Sequence, residues 1–188
     1  MYSASDLRKG LKIEIDGEPH LVVDFQFSKP GKGQALYKCK LKNVKTGAQF
    51  EKTYRSVEKI GKPDLRDKDM SYSYPDGINY VFIDPNTYDQ VIVDAEVVGD
   101  MKYFLEEDMN CKVLFHNDTP LEITLPNFVE KTIEETEPGA KGDTATNVTK
   151  PAKIENGYEL RVPLFINIGD TVRVDTRTGE YADRVSKG

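Results

Sequence analysis

No run of eighteen apolar residues occurs anywhere in the chain, so a membrane-spanning helix is not expected. The start, Met1-Tyr2-Ser3-Ala4-Ser5-Asp6, lacks the charged segment and apolar stretch of a secretory leader, and the expected setting is the cytosol. Two matches to the glycosylation tripeptide, at Asn117-Asp118-Thr119 and Asn147-Val148-Thr149, have no meaning there. Cysteine is scarce, and Cys39 and Cys111 lie in separate strand-like apolar patterns, which points to buried reduced thiols rather than a disulfide. Histidine is as scarce: His20 and His116 have no metal-ligand spacing with either cysteine and read as satisfied or solvated imidazoles. No Ser-His-Asp order, Gly-Lys-Ser/Thr phosphate loop or dinucleotide fingerprint is present. Glu106-Glu107-Asp108 reads as a solvated acidic edge. No catalytic residue, metal or cofactor is therefore expected, and the chain is read as a binding protein rather than an enzyme.

What the chain does have is a hairpin tip, Ser28-Lys29-Pro30-Gly31-Lys32-Gly33-Gln34-Ala35, that presents one lysine between two glycines. Proline fixes its own φ and starts a turn, while the glycines tolerate positive φ and put no side chain beside the ammonium group. Such a tip can enter a narrow crevice. Directly after it, Tyr37, Cys39 and Leu41 alternate with Lys38, Lys40 and Lys42, so one strand face is core and the other a cationic rail. Residues 28–62 hold ten basic side chains against two acids, Glu51 and Glu58. An excess of that size favours a polyanionic partner.

Short strand patterns punctuated by turns divide the 188 residues into three small β modules, 1–65, 66–127 and 128–188. In the first, Leu11, Ile13 and Ile15 share a face, Asp16-Gly17 and Thr46-Gly47 make turns, and Ser5 or Asp6 caps a short turn. The second holds strands at 70–74 and 78–83 joined by Pro75-Asp76-Gly77, a helix at 99–107 capped by Asp100, and strands flanking Asn117-Asp118. The third has strands at 129–133, 158–162 and 172–174, a long polar loop at 137–151 and a turn at 175–181. The modules carry net charges of +5, −9 and −2. A chain polarised in this way can offer its basic end to RNA while an acidic middle is held off the phosphates.

Five segments, Leu7-Arg8-Lys9-Gly10-Leu11, Lys29-Pro30-Gly31-Lys32-Gly33-Gln34-Ala35, Glu51-Lys52-Thr53-Tyr54, Gly142-Asp143-Thr144-Ala145 and Val174-Asp175-Thr176-Arg177-Thr178-Gly179-Glu180-Tyr181, together resemble the bacterial elongation factor P family over essentially the whole chain. The resemblance implies an all-β protein of three barrels in an L shape that mimics transfer RNA: an SH3-like, KOW-type barrel followed by two OB-folds. It implies a monomeric cytoplasmic factor that binds the ribosome between the peptidyl and exit sites and relieves stalling at consecutive prolines. By that resemblance Lys32 reaches the acceptor end of peptidyl-tRNA and is the substrate of a lysine-modifying enzyme; a β-lysyl group, an aminopentanol-type group or no group all remain open. Lys29, Pro30, Gly31, Gly33 and Gln34 shape the loop. Gly142, Asp143, Thr144 and Ala145 correspond to a loop approaching messenger RNA in the exit site, although Thr146-Asn147-Val148-Thr149 stands where relatives carry glycines. Asp175, Thr176, Arg177, Thr178, Gly179, Glu180 and Tyr181 correspond to a signature near the small subunit. The hypusine-bearing initiation factor of eukaryotes and archaea is similar over two domains only. The competing readings are a general RNA-binding β protein without a ribosomal role, which leaves the bare tip unexplained, and an enzyme with a nucleophilic Lys32, which a solvated tip disfavours.

Overall fold

In a computed structural model of the chain, which describes residues 1–138 and 148–188, nearly all regular structure is strand. Strand β1 (Tyr2–Ser3) precedes a single 3-10 turn, Ala4–Asp6. Strands β2 (Lys12–Ile15), β3 (Glu18–Ser28), β4 (Leu36–Asn43) and β5 (Gln49–Arg55) then pair antiparallel in that order, and β6 (Lys59–Ile60) returns to β1. Strands β7 (Leu65–Asp76), β8 (Asn79–Ile83) and β9 (Gln90–Val93) are followed by a one-turn helix α1 (Ala95–Val98) and by β10 (Asn110–His116) and β11 (Thr119–Thr124). Their sheet has the order β11-β10-β7-β8-β9. The remaining strands, β12 (Phe128–Thr132), β13 (Glu135–Thr136), β14 (Thr149–Lys153), β15 (Glu159–Pro163), β16 (Thr171–Asp175) and β17 (Glu180–Ser186), make two three-stranded sheets, β12-β16-β17 and β13-β14-β15. No helix among the described residues is long and apolar enough to cross a membrane.

The chain forms two compact units, Met1–Lys68 with Leu114–Leu121, and Asp69–Val113 with Glu122–Gly188. In the first unit the alternation works as expected. Ile13, Val22, Cys39 and Leu41 are fully buried with Leu7, Leu11, Tyr54 and Ile60 around them, each large aliphatic side chain contributing roughly 1.5–3 kcal/mol of transfer free energy. The turns that set the register use the conformations their residues favour. Asp16 and Gly17 both have positive φ between the paired Ile15 and Glu18, the turn that matches strand twist. Asn43 accepts hydrogen bonds from the N–H groups of Lys45 (2.8 Å) and Thr46 (3.1 Å) on its side chain. The capped turn near the start lies earlier than expected: Asp6 accepts from the Ser3 N–H at 2.8 Å and from the Ser3 hydroxyl at 3.0 Å, so it is Ser3 that opens the turn.

Two expectations in the second unit are corrected. Pro75 and Asp76 belong to strand β7, and the connection is the pair Gly77-Ile78, with Gly77 at φ +63°. The helix expected at 99–107 is instead α1 at Ala95–Val98 followed by a 3-10 segment, Gly99–Tyr103. Gly99, at φ 54° and ψ −138°, leaves the helical region and ends α1. Phe104 and Leu105 are still buried; their apolar spacing reported burial rather than a continuous helix.

The acidic segment after them is also not a simple solvated edge. Glu106, together with Glu155, accepts hydrogen bonds from the ammonium group of Lys131, whose side chain is 1% exposed. Beside this triad the Tyr158 ring packs against Tyr103 at 5.2 Å and edge-on against Phe104 at 5.0 Å. One buried cation and one ring thus tie residues 103–106 to strand β12 and the 155–158 turn. Farther along, Asp170 is buried, accepting the N–H groups of Asn167 and Gly188 at 2.9 Å each. Burial would raise its pKa, but these two N–H groups and the nearby Arg184 and Lys187 outweigh that and hold it below the usual carboxylate range.

Two stability measurements check these contacts. Replacing both Glu106 and Glu155 by Gln leaves a buried, uncompensated ammonium and is expected to cost about 3 kcal/mol in urea unfolding; Lys131→Met, which leaves half-exposed carboxylates, should cost less, about 1–2 kcal/mol. The reverse order would show that the lysine's packing matters more than its charge. For Asp170 the pKa is depressed on folding, so its stabilisation is complete above the unfolded value of about 3.9 and is lost as pH falls through the folded value. Asp170→Asn should therefore be less stable than the parent at pH 7, with the gap closing below about pH 4; a gap independent of pH would sink this account.

Candidate nucleic-acid interface

Strands β3 and β4 stay paired up to Ser28 opposite Leu36, and β5 flanks β4 to the same level with Arg55 opposite Leu36, so residues 29–35 project from the end of a three-stranded arm. The arm is stiffened just below the loop by aromatic contacts, Tyr37 lying 5.1 Å from Phe27 edge-on and 6.0 Å from Phe25 stacked. Within the loop the Gly33 N–H donates to the Pro30 carbonyl at 3.1 Å, which closes a tight turn centred on Gly31 and Lys32. Lys29, Pro30, Gly31, Lys32, Gly33 and Gln34 are all exposed. Among the described residues none forms a hydrogen bond or ion pair with the Lys32 ammonium group.

The glycines do not act as the sequence suggested. Neither Gly31 nor Gly33 has positive φ. A Cβ added at Gly31 would meet nothing within 4 Å, and one at Gly33 would make only ordinary contact with Pro30 at 3.5 Å. What they contribute is slimness: the lysine has no bulky neighbours, while the backbone would accept alanine.

Lys38, Lys40 and Lys42 are exposed on the outer face of β4, as the alternation requires. The rail is less cationic than its sequence, however. Register places Lys40 between Asp24 on β3 and Glu51 on β5, and Lys38 forms an ion pair with Glu51 at 3.3 Å. Asp24 lies outside the 28–62 stretch and reaches this face only because β3 pairs with β4. Lys45 is likewise paired, with Glu18 at 3.0 Å. Lys29 and Lys32 at the loop, and Lys42 at the other end of β4 opposite Leu21 and Gln49, have no carboxylate partner among the described residues.

The 175–181 turn is mostly committed to its own architecture. Arg177 donates two parallel hydrogen bonds to Asp175, at 3.0 and 2.9 Å, holding the carboxyl below its ordinary pKa. Thr176 is buried, its hydroxyl donating to the carbonyl of Pro126 at 2.6 Å. Thr178 receives the Glu180 N–H at 3.3 Å, Tyr181 lies opposite Val174, and Gly179, at φ +76°, accepts the Tyr158 hydroxyl at 2.8 Å through its carbonyl. The Arg177 guanidinium also lies 5.5 Å from the Phe128 ring centre. Gly142, Asp143, Thr144 and Ala145 lie outside the described residues.

Cys39 and Cys111 are free, buried thiols, and burial pushes Cys111 up to about 11. His20 is satisfied, its Nδ1 lying 2.9 Å from the Glu18 carbonyl. His116 is buried and half satisfied: its Nε2 lies 3.4 Å from the Asn117 side-chain nitrogen, and its Nδ1 has no partner among the described residues. Among the described residues no group of three His, Cys, Asp or Glu side chains could hold a metal ion.

Three family models match the chain: the elongation factor P KOW-like domain over residues 3–60, the elongation factor P OB domain over 65–123, and the elongation factor P C-terminal region over 129–184. Among curated proteins, elongation factor P of Desulfosudis oleivorans is 51% identical and that of Desulforapulum autotrophicum 52% identical, each match covering 100% of both chains. Among solved structures, initiation factor 5A from Methanococcus jannaschii matches with a TM-score of 0.57 at 21% identity, over 66% of this chain and 93% of that one. That likeness shows a shared fold over two thirds of the chain.

At Gly179 a side chain would be strained twice, by the positive φ and by a Cβ driven into the Tyr158 hydroxyl. Gly179→Ala is expected to lower stability by about 2–3 kcal/mol as read by thermal unfolding, and a change under about 0.5 kcal/mol would show that this turn adapts freely.

Proposed function

Because the chain belongs to the elongation factor P family of translation elongation factors, we propose that it binds the ribosome between the peptidyl and exit sites and positions peptidyl-tRNA through Lys32, relieving stalls at consecutive prolines. The observation that carries this reading is the arm itself: a three-stranded projection that ends in a slim loop whose lysine has no partner among the described residues. A side chain that none of the described residues holds is available to a ligand. Its exposure equally suits a modifying enzyme that must reach the ammonium group from solvent.

The factor does no covalent chemistry in this scheme. The lysine, extended or bare, contacts the backbone and 2′-hydroxyls of the tRNA acceptor end. Ordering that end into attack geometry removes entropy the proline-bearing substrate would otherwise lose in the transition state. About 3 kcal/mol of such ordering would speed a stalled step roughly a hundredfold. Lys29 and the outer lysines of β4 add a salt-dependent grip on phosphate, weakened along the strand by Asp24 and Glu51. Residues 142–145 and the turn at 175–181 are proposed contacts near messenger RNA and the small subunit, with Arg177 the exposed cation of the latter. The working form is a cytoplasmic monomer of three modules, 1–65, 66–127 and 128–188.

Synthesis of a peptide with three consecutive prolines in a reconstituted bacterial system checks the proposal. The native protein should relieve stalling and Lys32→Ala should not. Gly31→Ala should fold with unchanged stability yet lose most of the stimulation, because its added methyl group meets the crevice and not the protein. Equal activity of the native protein and Lys32→Ala would overturn the role given to the tip.

A further inference from the structure

The strand register gives the arm two unlike faces. On the outer face the rows across β3, β4 and β5 read Gln26–Lys38–Thr53 and Asp24–Lys40–Glu51, so carboxylates stand among the ammonium groups. On the opposite face they read Phe27–Tyr37–Tyr54 and Phe25–Cys39–Lys52, four aromatic rings and a lysine with no acid in either row. The rings climb from core to solvent. Tyr54 is buried, Phe25 and Tyr37 are half-buried and pack on the core, and Phe27, nearest the loop, is 55% exposed and stands outside that core. Its ring meets Tyr37 edge-on at 5.1 Å. Folding gains little from a large ring that stays more than half in water.

The charge beside this ring is of one sign. Lys29 follows Phe27 by two residues and is exposed. Lys52 is exposed as well, and its ammonium group lies 5.0 Å from the centre of the Tyr54 ring, drawn toward the aromatic row. Of the acids next to Tyr54 in sequence, Glu51 lies on the outer face with Lys38, and Glu58 accepts the Arg55 N–H at 2.7 Å. An open ring flanked by cations suits an unpaired base between two phosphates, because the π-face stacks on the base while the ammonium groups meet the backbone. An acidic peptide would engage the lysines alone, since the negative face of a ring repels carboxylate.

We propose that this face of the arm is a stacking site for an unpaired RNA base, with Phe27 as the platform and Lys29 and Lys52 on the flanking phosphates. The site deepens the ribosomal reading and rests on it for where the RNA is found: beside the contact made by Lys32, the arm holds a splayed nucleotide.

The chain contains no tryptophan, so Phe27→Trp places a single indole in the site, and stacking on a base quenches its fluorescence. A short single-stranded oligouridylate should quench it at low salt, and the same strand paired with oligoadenylate should quench it far less, because paired bases are not free to stack on a side chain. With a dye-labelled oligouridylate, Phe27→Leu should bind about tenfold more weakly than the parent while unfolding within about 2 °C of it. Lys52→Gln should make the salt dependence of this binding shallower, by roughly 0.7 in the slope of log affinity against log salt. No quenching, equal quenching by the duplex, unchanged affinity of Phe27→Leu, or a larger fall in its unfolding temperature would each overturn the proposal. Binding of the oligonucleotide needs no ribosome. Quenching without relief of proline stalling by the native protein would therefore remove the ribosomal reading and leave this site standing, whereas relief of stalling without quenching removes this site alone.

Discussion

The register between β3 and β4 is the constraint on which the arm and its site depend. Pairing Phe25 with Cys39 and Val22 with Leu41 sends Cys39 and Leu41 into the core and Lys38, Lys40 and Lys42 into solvent. A slip by one residue would exchange the faces and bury three ammonium groups, a desolvation cost of several kcal/mol for each. The sheet therefore has one tenable register. That register fixes where the strands stop pairing, and so which seven residues, 29–35, form the tip.

Electrostatics is handled differently in the two compact units. In the first, lysines stay on the surface, and carboxylates from neighbouring strands temper Lys38, Lys40 and Lys45. In the second, a lysine is taken inside: Lys131 is surrounded by protein and held between Glu106 and Glu155. An ion pair so placed adds little net stability over an apolar substitute, but it makes one arrangement of its partners much better than any other. It links segments 24 and 25 residues distant in sequence, where apolar packing alone would be more permissive. Lys150 repeats the device on a smaller scale, buried and donating to the Glu137 carbonyl, with burial lowering its pKa.

Two loop tips show two uses of unfavourable residue choice. At 31 and 33, glycines occupy conformations that do not require them, which gives up backbone rigidity for a narrow profile. At 88, a tyrosine occupies a conformation that does not suit it, which gives up local stability. In both places the sequence departs from what folding alone would favour.

The sequence by itself determined the all-β class, the inward set of the first unit, the two-residue turns at Asp16-Gly17 and Asn117-Asp118, and the projecting Lys32, because these follow from period-two alternation and turn chemistry acting over a few residues. It failed wherever a charged residue was buried or a long-range pair intervened. Strand β14 could not be read, since its inward positions include Lys150 and its outward ones Pro151. The Gly99–Glu107 spacing registered burial and was mistaken for a helix. The partial neutralisation of Lys40 by Asp24, the seat of Lys131 between two glutamates, and the commitment of Thr176 to the Pro126 carbonyl were decided only by tertiary structure, because each joins groups whose proximity depends on pairing and packing and is not encoded in local spacing.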